Sequence, residues 1–129
     1  MANTENRSKA AEFLATYFLL EAGHQVSYPI VVTSYDLLVT DDRGRSRRVQ
    51  VKRGYPKKGE SGVHVNLVRP GNGKRYLMGD ADVLMVVKCG FLPTVWAIPF
   101  KKVVGYSRLV VSGKQWNRYR IVSNGLYLG

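Results

Sequence analysis

Residues 34–54 read SYDLLVTDDRGRSRRVQVKRG. The stretch has the form of a β-hairpin: YDLLVT and RRVQVKR are rich in β-branched and aliphatic residues, and DDRGR joins them. If the loop is Asp42-Arg43-Gly44, Gly44 supplies the left-handed residue of a three-residue turn with a bulge. Symmetry about Arg43 then sets Asp36 opposite Gln50. Side chains alternate along a strand, so Gln50 and Lys52 share one face while Val49 and Val51 point to the other, into a core. Asp36 is opposite in sense to Tyr35 and Leu37. A carboxylate, an amide and an ammonium therefore converge where a core would want hydrocarbon, and a one-residue slip of register would abolish the patch.

Outward from the hairpin, the upstream segment 5–22, ENRSKAAEFLATYFLLEA, has helical periodicity, with Ala10, Phe13, Leu14, Tyr17 and Phe18 as the apolar stripe. Gly23 stands where a left-handed C-terminal cap is expected. Glu12 lies beside the stripe, roughly in line with Ser8 and Thr16. QVSYPIVV reads as a strand made irregular by Pro29. Downstream, GVHVNLV is a strand, RPGNGKR a loop, ADVLMVV a strand buried on both faces, CGFLP a turn and TVWAIPF a returning strand. KKVVGY reads as a short helix, and RLVVSG and RYRIVS as short strands. The expectation is a single α+β (mixed α/β) domain over residues 1–129, with an N-terminal helix on a sheet.

Twenty Lys and Arg against nine Asp and Glu give a net charge of +11. That excess points to a polyanionic partner, first of all nucleic acid. A basic membrane-surface protein would want a helix with a Lys/Arg face, and the helix candidate has none. No apolar run approaches the ~18 residues of a membrane span. The polar start MANTENRSKAAEF does not read as a signal peptide. Cys89 is the one cysteine, which excludes an internal disulfide and a cysteine-built zinc site and suits an intracellular, cytoplasmic location.

A carboxylate, an amide oxygen and a lysine converging on one patch suit phosphodiester hydrolysis. The carboxylate holds a hard cation, the cation neutralises the phosphate, and the lysine meets developing negative charge. The order Glu12, Asp36, Gln50-Val51-Lys52 resembles the PD-(D/E)xK nuclease superfamily. That resemblance implies a restriction-endonuclease-like core, a helix on a central mixed sheet of four strands, and Mg²⁺-dependent cutting of DNA. Gln50 in place of the second acid, together with RYLMGDADVLMVVKCGFLPTVWAIPF (a Tyr, a DxD entering a strand, a strand ending in IP), is similar to the group I intron-encoded endonucleases of that superfamily. Small Holliday-junction resolvases share the helix–hairpin core but usually carry an acid at the position of Gln50. Here Tyr35 replaces the superfamily's proline, and Gln50 lowers the negative charge of the site.

The resemblance implies catalytic roles for Glu12, Asp36, Gln50 and Lys52. Its ligand set for Mg²⁺, with Mn²⁺ as a substitute, is Asp36, the Val51 carbonyl, Glu12 and Gln50. Phosphate contacts are expected from Lys9, Arg43, Arg45, Arg47, Arg48, Arg53, Lys57, Lys58, Arg69, Lys74 and Arg75, a run read as lacking matching acids. Tyr55, Tyr76 and Trp116 read as packing residues before base-stacking ones, Asp80 and Asp82 as capping or salt-bridging residues, and His24 and His64 as structural. One site cuts one strand, so a homodimer or higher homo-oligomer is expected, with ADVLMVV or the tail NGLYLG as interface. The short interval after Lys52 leaves no large insertion for base readout, which favours a structure-specific junction resolvase. A sequence-specific homing-type endonuclease and a non-catalytic basic DNA-binding module are the alternatives.

Overall fold

The computed structural model describes residues 4–68 and 75–121. Helix α1 (Thr4–Glu21) is followed by strands β1 (Gln25–Ser27), β2 (Leu37–Thr40), β3 (Ser46–Arg53), β4 (Tyr55–Lys57), β5 (Glu60–Asn66), β6 (Val83–Lys88), β7 (Thr94–Pro99) and β8 (Arg108–Val110). Short 3-10 turns occupy Met78–Asp80, Phe100–Lys102 and Lys114–Tyr119. The fold is α+β, an N-terminal helix on a mixed sheet.

The main sheet has five strands in the order β1-β2-β3-β6-β7. All neighbours are antiparallel except β3 and β6, which run parallel at its centre. The expected sheet of four strands thus gains β1 at one edge. A second sheet orders β4-β5-β8. The chain passes from one sheet to the other at Gly54, where a Cβ would lie 2.4 Å from Val63 Cγ1; only glycine lets the strand pass that close.

The hairpin takes the register expected of it. Leu37 pairs with Val49 and Thr40 with Ser46. Asp41 N–H donates to the Arg45 carbonyl at 2.9 Å, and Gly44 adopts φ 78°. β6 is buried along nearly its whole length because β3 and β7 flank it and both of its faces are covered. One face, with Val49 and Val51 of β3 and Val83, Met85 and Val87 of β6, packs on Ala11, Ala15 and Leu19 of α1. Leu84, Val86, Trp96 and Ile98 face the other way, against Val65, Leu109, Tyr76, Phe100 and Trp116.

Several expectations need correction. The helix buries Ala11, Ala15 and Leu19, with Leu14 and Phe18 partly covered, whereas Phe13 and Tyr17 are 63% and 56% exposed and Ala10 is exposed. The stripe is rotated because two alanines let the helix axis come close to the sheet, an effect that size-weighted periodicity undervalues. QVSYPIVV is a strand only through Ser27, and Ile30, Val31 and Val32 are exposed. KKVVGY holds a 3-10 turn rather than an α-helix. Of RYRIVS, Arg118 and Tyr119 end another 3-10 turn and Arg120 bridges Trp96. ADVLMVV cannot form a subunit interface, since β6 lies at the middle of the sheet. NGLYLG lies outside the described residues, as do Arg69 and Lys74. No described helix is long and apolar enough to cross a membrane.

Candidate active site

β2 begins at Leu37, but β3 continues to Arg53. The last backbone link between them is Asp36 N–H to the Val49 carbonyl, 2.8 Å. In an antiparallel pair, alternate residues turn both backbone groups to the same neighbour. Val51 therefore presents its N–H and C=O to a place that β2 has vacated. The Asp36 side chain fills half of that gap. Its Oδ2 accepts the Val51 N–H at 2.8 Å and the Gln50 side-chain amide, Nε2, at 2.9 Å. The Val51 carbonyl receives only a long 3.5 Å approach from the same Nε2 among the contacts to side chains.

Gln50 is buried, at 7% exposure, a position an amide occupies at a cost unless it is hydrogen-bonded. Lys52, two residues on and on the same face, extends its Nζ to 5.1 Å from the centre of the Tyr76 ring, itself buried in the second core. The ring offers the ammonium a cation–π surface and limits where it can reach. Glu12 comes from the facing helix, half-buried, with Lys9 Nζ at 3.5 Å one turn earlier.

Electrostatics bind these groups together. Burial pushes the Asp36 carboxyl above its ordinary range, while the Val51 N–H and the charges of Lys52 and Lys9 pull against it. Glu12 is raised by burial and then by the charge of Asp36, with Lys9 opposing. Burial lowers Lys52, and Asp36 opposes that shift. The Asp36 charge is thus felt at Glu12, and a carboxylate held above its ordinary range by burial and a like charge is one whose ionised form a cation would favour.

The donors fit a hard divalent ion. Asp36, Glu12 and the Val51 carbonyl all offer oxygen, the donor such an ion would take. Among the described residues no group of three or more His, Cys, Asp or Glu side chains could hold a metal. Backbone and amide oxygens must therefore supply part of any shell. Gln50 now faces Asp36 through its nitrogen, so service as a ligand requires its amide plane to turn over.

The basic residues are more occupied than the run suggested. Arg45 pairs with Asp41 at 2.9 Å, Lys57 with Glu60 at 3.4 Å and Lys9 with Glu12. Arg48 is clamped by both oxygens of Asp82, at 3.2 Å each, and by the Gly79 carbonyl at 2.6 Å. Arg75 donates to the Gly105 carbonyl and Arg53 to that of Arg7. The expectation of a run without matching acids is thus corrected: Asp41 sits inside the turn, Glu60 opens β5, and Asp82 stands just ahead of β6. Arg43 and Lys58 are exposed at the two hairpin turns, and Arg47 is half-buried with Nη1 3.5 Å from the Ser46 carbonyl. Asp82 and Asp80 salt-bridge and cap, respectively, the latter accepting the Leu77 N–H at 2.7 Å. Tyr76 is the residue whose place beside Lys52 the sequence did not signal, because the contact spans segments with no common periodicity.

No protein-family model matches the sequence, and no curated protein does. The fold, by contrast, has a match in the structure of a bacterial homing endonuclease, I-Ssp6803I. It aligns with a TM-score of 0.81 at 21% identity, covering 92% of this chain and 89% of that one. The crystal structure of MepB aligns with a TM-score of 0.53 at 14% identity, covering 88% of this chain and 96% of that one. At these identities the likeness is one of fold.

Proposed function

We propose that this protein is a Mg²⁺-dependent DNA endonuclease of the PD-(D/E)xK kind that cuts duplex DNA at a particular sequence. The observation that carries the reading is the gap beside Val51, where Asp36, Gln50, the Val51 carbonyl and Lys52 meet on a fold shared with a homing endonuclease. Asp36 and the Val51 carbonyl would hold the cation, with Glu12 and Gln50 assisting. When bound, such an ion supplies charge neutralisation and Lewis acidity to the phosphodiester. Lys52, with its Nζ 5.1 Å from the centre of the Tyr76 ring, would donate hydrogen bonds to the oxygens on which negative charge grows. Its lowered pKa also eases proton exchange with the attacking water. Two strands need two such sites, so the working form is a homodimer or higher assembly.

Substrate choice turns on length. The aligned homing endonuclease is covered nearly end to end by this chain. The lack of a large insertion after Lys52 therefore no longer counts against base readout, and Gln50 favours the homing-type reading over the junction resolvase. A four-way-junction resolvase remains the second reading, since the hairpin core and basic turns suit shape recognition equally.

One assay separates these readings. The protein is incubated with a plasmid library of random inserts, with supercoiled plasmid and with a synthetic four-way junction, in Mg²⁺, Mn²⁺ and EDTA. The proposal expects metal-dependent cutting of a discrete subset of inserts, lost in Asp36→Ala and Lys52→Ala while binding persists. Symmetric cutting of the junction with duplex spared would favour the resolvase. Binding without cutting in either metal would reduce the protein to a DNA-binding module.

A further inference from the structure

Past the end of β3 lies a cavity of about 950 Å³ between the first turns of α1, the crossing from β3 to β4, and the end of β6. Its wall holds three cations, Arg7, Arg53 and Lys88, and no carboxylate. Among the described residues neither Arg7 nor Lys88 has an acidic side chain within salt-bridge range, in contrast to Arg45, Arg48 and Lys57. Arg53 is held in place by one donor, Nη1 to the Arg7 carbonyl at 3.0 Å, which leaves its other N–H groups to the cavity. The remaining wall is partly apolar, with the Tyr55 ring, Pro56 and Val63.

We propose that this cavity holds the sugar–phosphate backbone of the DNA strand next to the bond that is cut. The identity of the ligand rests on the nuclease reading; the site itself rests on the cavity and its charge. A volume of this size suits a compact organic unit, and unopposed cations beside an apolar wall match a nucleotide's phosphate and sugar. Position supports the assignment. Arg53 follows Lys52 in β3 and, by the alternation of side chains, turns to the α1 face from which Glu12 comes. Ser8, on the wall, precedes Glu12 by one helical turn, about 6 Å along the axis. A strand whose phosphate reaches Asp36 and Glu12 therefore has this cavity as the adjoining stretch of its path along α1.

The test needs no cutting. Affinity for a duplex is measured in EDTA across a range of salt for the wild type, for Arg7→Gln/Lys88→Gln, and for Lys101→Gln/Lys102→Gln. The last pair removes the same charge from an exposed turn elsewhere. Glutamine keeps much of each stem, and thermal melts establish that all three proteins are folded. Losing two phosphate contacts should lower the slope of log K against log salt by about 1.8, at roughly 0.9 per contact. The Lys101/Lys102 pair should leave the slope near that of the wild type. A fall of less than about one, or an equal fall in both variants, overturns the proposal. So does a melting temperature raised by inorganic phosphate in the wild type alone with the DNA slope unchanged, which marks a small-anion site. Failure of the nuclease reading looks different: the slope falls as expected, yet no metal yields cutting. Cutting with an unchanged slope removes the cavity alone.

Discussion

Two hairpins of the main sheet, β6–β7 and β2–β3, are built differently. β6 and β7 pair without interruption from Val83–Pro99 to Lys88–Thr94, nearly all of it buried. β2 and β3 pair only from Leu37–Val49 to Thr40–Ser46, and β3 overruns its partner by the whole of Gln50–Arg53. The first hairpin satisfies every demand of a core. The second leaves a stretch of strand with one side unpaired, and the polar residues gather there. The candidate site lies where a strand stops early and a carboxylate stands in for backbone.

Breaking the second hairpin's special feature should have the largest effect. Asp36→Ala removes both the candidate cation ligand and the acceptor for Val51 N–H. Cleavage should fall about 10³-fold or more, measured on whichever DNA the wild type cuts. A loss below tenfold would move the chemistry away from Asp36.

The regular hairpin should answer in stability instead. Leu84 is fully buried in β6. Leu84→Ala should cost about 2–5 kcal/mol in denaturant unfolding. An unfolding midpoint close to the wild type's would mean that β6 is not the centre of the core.

The contrast sharpens with Asp36→Asn, which keeps an oxygen for the Val51 N–H but loses the charge. The folded-state pKa of Asp36 is raised, so its ionisation opposes folding. The stability linked to its protonated form is present below the unfolded value near 4 and lost as pH rises through the folded value. Asn should therefore raise the melting temperature at pH 7, and the advantage should vanish as pH falls below about 4. Mg²⁺ should raise the melting temperature of the wild type and leave that of the Asn variant unmoved. A variant less stable than the wild type at pH 7 would show that the carboxylate is held for its hydrogen bonds rather than against its burial.

The smallest effect is expected at Asp82, which ties β3 to the start of β6 through Arg48. Both side chains are more than a third exposed. Asp82→Asn should cost no more than about 1 kcal/mol, read by urea titration. It should also free Arg48 to steepen the salt dependence of DNA binding. A cost of several kcal/mol would make this link part of the sheet's foundation.

The hairpin was the most legible part of the sequence. Gly44 fixed the turn, alternation fixed the faces, and together they placed Asp36 opposite Gln50, as the Leu37–Val49 pairing requires. The continuous apolar run of β6 was equally plain. Legibility failed where volume and pattern disagree. Phe13 and Tyr17 are among the largest apolar side chains of the helix and stay exposed, yet Ala11 and Ala15 touch the sheet. It failed again where partners meet from distant segments. The second sheet joins His64 to both Tyr55 and Val110, and Arg48 finds Asp82 across the crossover. No local period announces such pairings. For the site, the residue types and their order could be read, whereas the vacancy beside Val51 and the ring beneath Lys52 needed the third dimension.

The parallel pairing of β3 with β6 has a consequence for the order of events on the ribosome. Glu12, Asp36, Gln50 and Lys52 are all synthesised before β6. Until Val83–Lys88 arrives, the nascent β3 has an open edge and nothing to hold Lys52 against Tyr76. The candidate groups are thus synthesised first and framed last: a chain that ends before β6 carries every candidate catalytic side chain and lacks the strand that closes the open edge of β3.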